Sequence, residues 1–306
     1  MSQRYLLLNA DKRERHGAVD GRMPKFIFGG LEPVAKLLTV PVQRPCIPDS
    51  CLPLQDTQRS TLGSLSLPTE LLDIIFERLD IIDAFCLGVT NSLLTSISWR
   101  HICGKRDAQV SRWAGNQIIC LSDYADDMPA SLDSDKRDIT FAMASRFTSV
   151  GTVRKIGIPN VALCDVVLER MSNVHDIKRC GTLLGATEPW YPTDRPWALC
   201  NISKRQYVLA EAVGMLTDNV TEGPFVQSDW NLGNAVCVLA SCSNRGRQRA
   251  EGLWAGDRMQ IVETASLREG WEDVTTPVVP LIGRFLECMY PGDVLEDYAD
   301  YYGPNI

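Results

Sequence analysis

Two short segments of this chain each occur twice, in the same order, and this repeat limits the fold more than any other feature. "YLLLNADKR", residues 5–13, is matched by "WALCNISKR", residues 197–205. "WAGNQIICL", residues 113–121, is matched by "WAGDRMQIV", residues 254–262. Because both pairs keep their order, a duplication explains them better than coincidence. The chain is therefore predicted to contain two related modules.

Each copy combines the pattern of a strand with the patterns of turns and a helix. An apolar run before an asparagine indicates a short strand that ends in a turn. Asp11 with Glu14, and Ser203 with Gln206, have the spacing of a helix N-cap and its reciprocal partner, which predicts a helix after each turn. Each Trp-Ala-Gly segment predicts a tight turn before another apolar strand. Together these patterns predict an α+β fold.

The first copy is predicted to carry an insertion. The interval from Tyr5 to Trp113 is about 50 residues longer than the interval from Trp197 to Trp254, an excess that an exposed loop can accommodate. A proline-rich run, which disfavours helix and strand, precedes the insertion. We predict residues 1–60 as the first part of module one, 62–106 as the insertion, 107–195 as the remainder of module one with a connector, and 196–306 as module two.

The insertion is predicted to form three short helices. Pro68 suits a first helical turn, and Leu72 and Phe76 recur at helical spacing behind it. Asp83 is predicted to cap the second helix, and residues 92–102 to form the third. A unit of this size rarely closes its own core. Its wide apolar surface is therefore expected to be covered by the rest of the chain or by another protein.

The insertion resembles an F-box over "LSLPTELLDIIFERLDIIDAFCLGVTNSLL", residues 65–94. In that family the three-helix unit docks on the Skp adaptor of a cullin-RING ubiquitin ligase, so the resemblance implies a substrate receptor. The residues that it places on or near the docking surface are Leu67, Pro68, Leu71, Ile75, Leu79, Cys86 and Val89. The segment departs from the family at Ala84, where leucine is usual, and at Leu93 or Leu94, where tryptophan is expected. The whole layout also resembles fungal F-box-containing proteins of unassigned function.

The alternative interpretation is a ligand-binding or enzymatic α+β protein in which the helices are an ordinary amphipathic hairpin. The sequence has no phosphate-loop, zinc-protease or nucleophile-elbow motif. His175, beside Asp176, is a candidate general base, but no nucleophile is recognisable with it. We therefore expect a non-catalytic protein, since a ligase receptor acts by positioning its target.

A lysine-arginine pair follows the turn in both copies, as Lys12 with Arg13 and Lys204 with Arg205. These pairs are candidates for binding an acidic target. The alternative is that they form a solvated helix face or take part in intramolecular ion pairs.

Composition excludes several classes of function. The net charge of -7 disfavours nucleic-acid binding. The sequence contains no run of about 18 apolar residues, so no membrane span is predicted. Eleven cysteines include no C-x-x-C pair and only three histidines accompany them, so we expect neither a metal site nor a cofactor. With no secretion signal, the chain is expected in the cytoplasm, the nucleus or both, with the adaptor and an unidentified protein target as partners.

Overall fold

The structure is a computed structural model, and it describes residues 4–16, 32–44, 67–125, 127–150, 169, 174–217, 223–224, 231–245 and 248–289. Its helices and mixed sheet confirm the α+β class. The chain divides into two compact units. We call them the α+β unit (Met1–Val40, Ser111–Val153 and Tyr191–Ile306) and the helical unit (Pro41–Val110 and Arg154–Trp190).

Helices and strands are interspersed along the described chain. The strands are β1 (Tyr5–Asn9), β2 (Glu14–His16), β3 (Asn116–Ser122), β4 (Thr148–Val150), β5 (Trp197–Asn201), β6 (Gln206–Leu209), β7 (Ser241–Arg245), β8 (Gln248–Glu251), β9 (Arg258–Glu263) and β10 (Glu272–Asp273). The helices are α1 (Glu32–Leu38), α2 (Thr69–Arg78), α3 (Ile81–Gly88), α4 (Ser92–Val110), α5 (Phe141–Ala144), α6 (Val174–Ala186), α7 (Ala210–Gly214), α8 (Leu232–Leu239) and α9 (Thr275–Met289).

The sheet of the α+β unit has a palindromic strand order. Its main path runs β10-β6-β5-β9-β3-β1-β2-β4, and β7 joins β3 and β8 beside this path. The outermost pairs, β10 with β6 and β4 with β2, are both parallel, whereas the inner pairs are antiparallel. Each half of the path therefore has the same strands in the same directions, which is the arrangement that the sequence repeat would produce.

The two halves meet where β3 pairs with β9. Gly115 N donates a hydrogen bond to Met259 O at 2.8 Å, and Gly256 N donates to Ile118 O at 2.9 Å. Each bond becomes the other when the two copies of the repeat are exchanged. A pseudo-two-fold axis therefore passes between these strands, and antiparallel pairing places such an axis normal to the sheet.

Residues 5–13 and 197–205 each begin a strand-turn-strand hairpin, so the predicted helix after the turn is wrong. Asn9 Oδ1 accepts a hydrogen bond from Lys12 N at 3.0 Å, and Asn201 Oδ1 accepts one from Lys204 N at 3.1 Å. These bonds close a turn, because the asparagine side chain substitutes for a backbone acceptor. The chain then returns antiparallel to the strand from which it came.

The residues predicted to be helix caps bind the central strands instead. An Asp11 carboxylate oxygen accepts a hydrogen bond from Gln117 N at 2.8 Å, and Ser203 Oγ accepts one from Arg258 N at 3.0 Å. The same short polar side chains that cap helices also satisfy strand ends. Sequence spacing alone does not separate these two uses.

The two Trp-Ala-Gly segments bond to the helices α1 and α8 in the same way. Trp113 N donates to Leu37 O and Trp254 N donates to Leu239 O, both at 2.9 Å. Both indole rings are fully buried. The glycine of each segment has a positive φ, 77° in one copy and 76° in the other, which is the left-handed conformation that glycine adopts without strain.

In the helical unit, α2, α3, α4 and α6 surround one apolar core. Its buried residues are Leu72, Phe76, Ile81, Ala84, Phe85, Val89, Leu94, Ile97, Trp99, Ile102, Cys180, Leu183, Leu184 and Ala186. Ala84, where the F-box pattern has a larger residue, lies in this core. So does Trp99, a tryptophan a little farther along the chain than the pattern expects.

The helical unit extends beyond the predicted insertion at residues 62–106. Helix α4 continues to Val110. Arg106 Nη1 donates to Leu184 O at 2.6 Å and to Thr187 Oγ1 at 2.9 Å, which fastens α4 to the end of α6. Part of the connector that the sequence assigned to module one therefore belongs to the helical unit. The assignment of this part of the connector depends on its contacts with Arg106, which lies far away in the sequence. No local pattern in the connector could therefore predict it.

Asp80 rather than Asp83 is the N-cap of α3, so that prediction is also wrong. The Asp80 side chain accepts a hydrogen bond from Asp83 N at 2.8 Å. The helix begins at Ile81, which places Asp83 in its first turn, where a negative charge favours the helix dipole.

Candidate docking surface

Helix α2 leaves one apolar face exposed. Leu67, just before the helix, is 37% exposed, Leu71 is 46%, Ile74 is 53% and Ile75 is 37%. Leu71 follows Leu67 by four residues, and Ile74 and Ile75 follow Leu71 by three and four, so all these side chains lie on one side of the helix. We call these four residues the α2 face. Glu70, Glu77 and Arg78 are exposed on the same helix, so charged groups of both signs border the apolar face.

The opposite side of α2 packs into the core of the helical unit. Leu72 and Phe76 are buried there, and Leu79 is half-buried against the same cluster. The Phe76 ring stacks on the imidazole of His101 from α4, with ring centroids 5.9 Å apart and planes 20° apart. The helix is thus apolar on two sides, and the described part of its own unit packs against one of them.

Polar contacts with α4 fix the orientation of α2. Asp73 forms an ion pair with Arg100, and His101 Nε2 lies 3.0 Å from Asp73 Oδ1. Hydrogen bonds from Arg100 and His101 lower the pKa of Asp73. Lys105 Nζ donates to Glu77 O at 3.0 Å, in the last turn of α2, where the backbone carbonyls lack helical partners. These contacts therefore hold the α2 face in one orientation relative to α4.

The residues that the F-box resemblance placed on the docking surface fall into three groups. Leu67, Pro68, Leu71 and Ile75 are exposed on or beside α2. Leu79 and Cys86 are half-buried against the core. Val89 is only 3% exposed, so it belongs to the core and we remove it from the docking surface.

Two further exposed residues were missing from the predicted set. Ile74 is the most exposed apolar residue of α2, and Leu93, at the start of α4, is 37% exposed. The apolar pattern of α2 is wide enough to include Ile74, so the sequence alone could have indicated that Ile74 belongs to the docking surface. For Leu93 the sequence offers no such signal, since its neighbour Leu94 is buried.

The lysines of the two lysine-arginine pairs have structural partners in the α+β unit. Lys12 Nζ donates to Arg112 O, and Lys204 Nζ donates to Leu253 O, the residue before Trp-Ala-Gly in each copy. Lys204 Nζ also lies 2.9 Å from an oxygen of the buried Asp257 carboxylate. The predicted helix face for these pairs is wrong, because they lie in hairpin turns.

A second polar cluster joins Asp11, Lys136, Arg258 and Asp133. Lys136 Nζ bonds to both carboxylates, and Arg258 bonds to them at 3.0 and 3.2 Å. Burial acts to raise the pKa of Asp11, but hydrogen bonds from Lys136 and Gln117 N and the charge of Arg258 lower it overall. Two cations thus neutralise two carboxylates, which is an arrangement that holds segments together rather than one that leaves a group available for catalysis.

Several cysteine thiols are unsuited to nucleophilic chemistry. Burial raises the pKa of Cys103 to about 11 and that of Cys200 to about 12. Burial also raises the pKa of Cys237 well above its ordinary value, and a hydrogen bond with Cys120 acts in the same direction. A thiol that is protonated at neutral pH is a poor nucleophile and a poor metal ligand.

The predicted general base and the absence of a metal site stay predictions. His175 lies on α6, but its side chain is outside what the structure describes. Within the described ranges, no group of three or more histidine, cysteine, aspartate or glutamate side chains is arranged to hold a metal ion. Over the same ranges, each helix is too short or too polar to cross a membrane.

Comparisons with known proteins give no relative from which a role could be transferred. No protein-family model, curated protein or solved structure matches this chain significantly.

Proposed function

We propose that this protein is a substrate receptor of a cullin-RING ubiquitin ligase, in which the α2 face binds a Skp-type adaptor. The observation that supports this proposal is the exposure of four large apolar side chains on a helix whose other side is already packed. A contiguous exposed apolar face commonly marks a site of protein interaction. The residues that the F-box resemblance assigns to adaptor docking include three of these four.

The α2 face has properties that favour tight association. Burying one leucine or isoleucine side chain contributes roughly 1.5–3 kcal/mol, part of which is offset by the entropy lost on association. The contacts of Asp73 and Glu77 with α4 reduce that loss, because the helix need not become ordered on binding. A charged side chain placed in the middle of this face would become buried and unpaired when the adaptor binds.

The α+β unit would then recognise the target, and the receptor itself would carry out no chemistry. The ligase transfers ubiquitin by holding a target near the loaded conjugating enzyme, so its receptor needs surfaces rather than catalytic groups. We place this activity in the cytoplasm, the nucleus or both. A ligand-binding or enzymatic protein with a degenerate F-box is the alternative.

The test is co-elution of the full chain with a Skp-type adaptor on size-exclusion chromatography. Leu71→Asp and Ile75→Asp should abolish co-elution, because each buries an unpaired charge against the adaptor. Leu253→Asp is the matched control, since Leu253 is 50% exposed but lies in the α+β unit. Circular dichroism should show all three variants folded, because the altered side chains are exposed.

Two results would contradict the proposal. A wild-type chain that fails to co-elute with the adaptor would decide for the alternative. Co-elution that survives each of the two changes would reject the α2 face as the docking surface, because it would show that Leu71 and Ile75 do not contact the adaptor.

A further inference from the structure

Arg13 and Arg205 occupy the same unusual backbone position in the two hairpin turns. Their φ angles are 51° and 55°, in the left-handed region that favours glycine and asparagine. A residue with a β-carbon is held there at a cost in stability, and such residues cluster at functional sites. Both copies nevertheless have arginine. This points to a requirement for the side chain rather than for the backbone.

The neighbouring lysines show how a structural cation behaves in the same turns. Lys12 and Lys204 direct their amines to backbone carbonyls of the α+β unit. Arg13 and Arg205 are exposed, and within the described residues neither guanidinium group forms a hydrogen bond or an ion pair. The turn therefore uses its lysine to fix the fold and leaves its arginine accessible.

The pseudo-two-fold axis relates the two arginines. The turns begin at Asn9 on β1 and Asn201 on β5, and the two central strands lie between them. Arg13 and Arg205 directly precede β2 and β6, which are five strand spacings apart, about 24 Å, whereas β1 and β5 are three spacings apart, about 14 Å. Because the axis is normal to the sheet, exchanging the copies does not exchange the two faces of the sheet. The axis thus relates the backbones of the two arginines, which keep the same position relative to each face of the sheet.

We propose that Arg13 and Arg205 form a two-point binding site for an acidic peptide segment of the target protein. Each guanidinium group would bind one carboxylate or phosphate group, which its planar fork of donors can hold by two hydrogen bonds. A polynucleotide is disfavoured as the occupant by the net charge of -7. The site deepens the proposed function, because it names the chemistry of the target, but binding at the arginines does not require the adaptor.

The experiment measures fluorescence anisotropy of labelled peptides with the full chain. The peptides are extended, otherwise uncharged, and carry two phosphoserines or two glutamates about four to eight residues apart, which spans roughly 14–26 Å at strand geometry. Arg13→Gln and Arg205→Gln should each weaken the best peptide about 10-fold, and the double variant about 100-fold, if the two contacts are independent. Arg268→Gln, at an exposed arginine elsewhere in the α+β unit, should leave the affinity unchanged.

A second pair of variants separates binding from folding. Arg13→Asn and Arg205→Asn suit the left-handed conformation better, so the midpoint of thermal unfolding should stay the same or rise while peptide binding falls. The proposal is overturned if no peptide binds saturably, if the double variant binds as well as wild type, or if the asparagine variants lose binding only together with stability.

The outcomes also distinguish this site from the ligase proposal. Co-elution with the adaptor but no binding of any peptide would reject the arginine site alone. Peptide binding that depends on both arginines, without adaptor binding, would keep the site and reject the ligase.

Discussion

The two copies of the repeat share their backbone hydrogen bonds but differ in what the chain does between them. In copy two the chain runs from α8 through β7 and β8 to Trp254 without leaving the α+β unit. In copy one it leaves after α1, builds part of the helical unit, and returns at Ser111. The bond from Trp113 N to Leu37 O forms all the same. The local geometry of the repeat is therefore independent of the chain that joins its parts.

The side chains around the shared backbone also differ between the copies. Copy one has the buried Glu14 where copy two has the more exposed Gln206. Beside the central strands, copy one has Asp11 where copy two has Ser203. Duplication has thus kept the main-chain framework, while burial and charge have diverged. Each difference gives a matched pair of variants.

Removing the helical unit should have the largest effect on function and leave the α+β unit folded. The change deletes residues 41–110 and 154–190 and closes each gap with a glycine-serine linker of about 12 residues, which reaches about 19 Å. We expect complete loss of adaptor binding and one cooperative thermal transition, because strand pairing in the α+β unit is unaffected. The entropic cost of closing a loop varies only slowly with loop length, so the linkers should add little to it. Near-UV circular dichroism would monitor the fold.

A shorter deletion of residues 62–106 is the control for this result. It cuts α4 before its end. It also removes the apolar side chains of α2, α3 and α4 that share a core with Cys180, Leu183 and Leu184 of α6. We expect this protein to aggregate or to bind hydrophobic dyes. If the longer deletion also yields a molten product, the two units do not fold independently, and the comparison between an interrupted and an uninterrupted copy loses its basis.

Replacing Glu14 should destabilise the protein far more than replacing its counterpart Gln206. The buried Glu14 carboxylate accepts the indole N–H of Trp113 at 2.8 Å and pairs with Arg112. Glu14→Ala leaves that buried N–H without its acceptor, and we expect a loss of about 2–4 kcal/mol in the free energy of unfolding. Gln206→Ala removes an exposed contact with Glu272 and should cost less than about 1 kcal/mol. Urea titrations of both variants decide whether the asymmetry is real.

Most of the differences between the two copies could not be predicted from the sequence. The repeat, the α+β class and the apolar pattern of α2 were all recognisable from short segments. The sequence predicts capped helices where the hairpins lie, because Asp11 and Ser203 bind strands that lie far along the chain. The F-box resemblance places Val89 on the docking surface, whereas the structure buries it, because a match of sequence positions does not say what covers each side chain. Local patterns predicted elements, and only tertiary partners could assign faces.

The two Trp-Ala-Gly glycines should respond unequally to the same substitution. Either Gly→Ala change places a β-carbon in the left-handed conformation, which costs roughly 1–2 kcal/mol. At Gly115 the nearest atom to that β-carbon is 3.8 Å away, whereas at Gly256 Ser131 Oγ lies at 2.7 Å and Leu132 Cγ at 2.9 Å. We expect Gly256→Ala to cost about 1–2 kcal/mol more than Gly115→Ala, because overpacking adds to the backbone strain. Equal midpoints of urea unfolding would mean that the segment around Ser131 moves aside freely.

The smallest expected effect is a dependence on pH at the position where copy one has Asp11 and copy two has Ser203. The pKa of Asp11 in the folded protein is below its ordinary value of 3.8, because the hydrogen bonds and charges around it outweigh its burial. Its contribution to stability is therefore fully present above about pH 4 and is lost as the pH falls through the lower folded value. Asp11→Asn should lower the midpoint of urea unfolding at neutral pH, and the difference from wild type should shrink below about pH 4. Ser203→Ala, at the equivalent position, should give a difference that does not change with pH, since a hydroxyl group does not titrate there. A constant difference for Asp11→Asn down to about pH 2.5 would show that the carboxylate acts through hydrogen bonding alone and that its charge adds nothing to the cluster with Lys136 and Arg258.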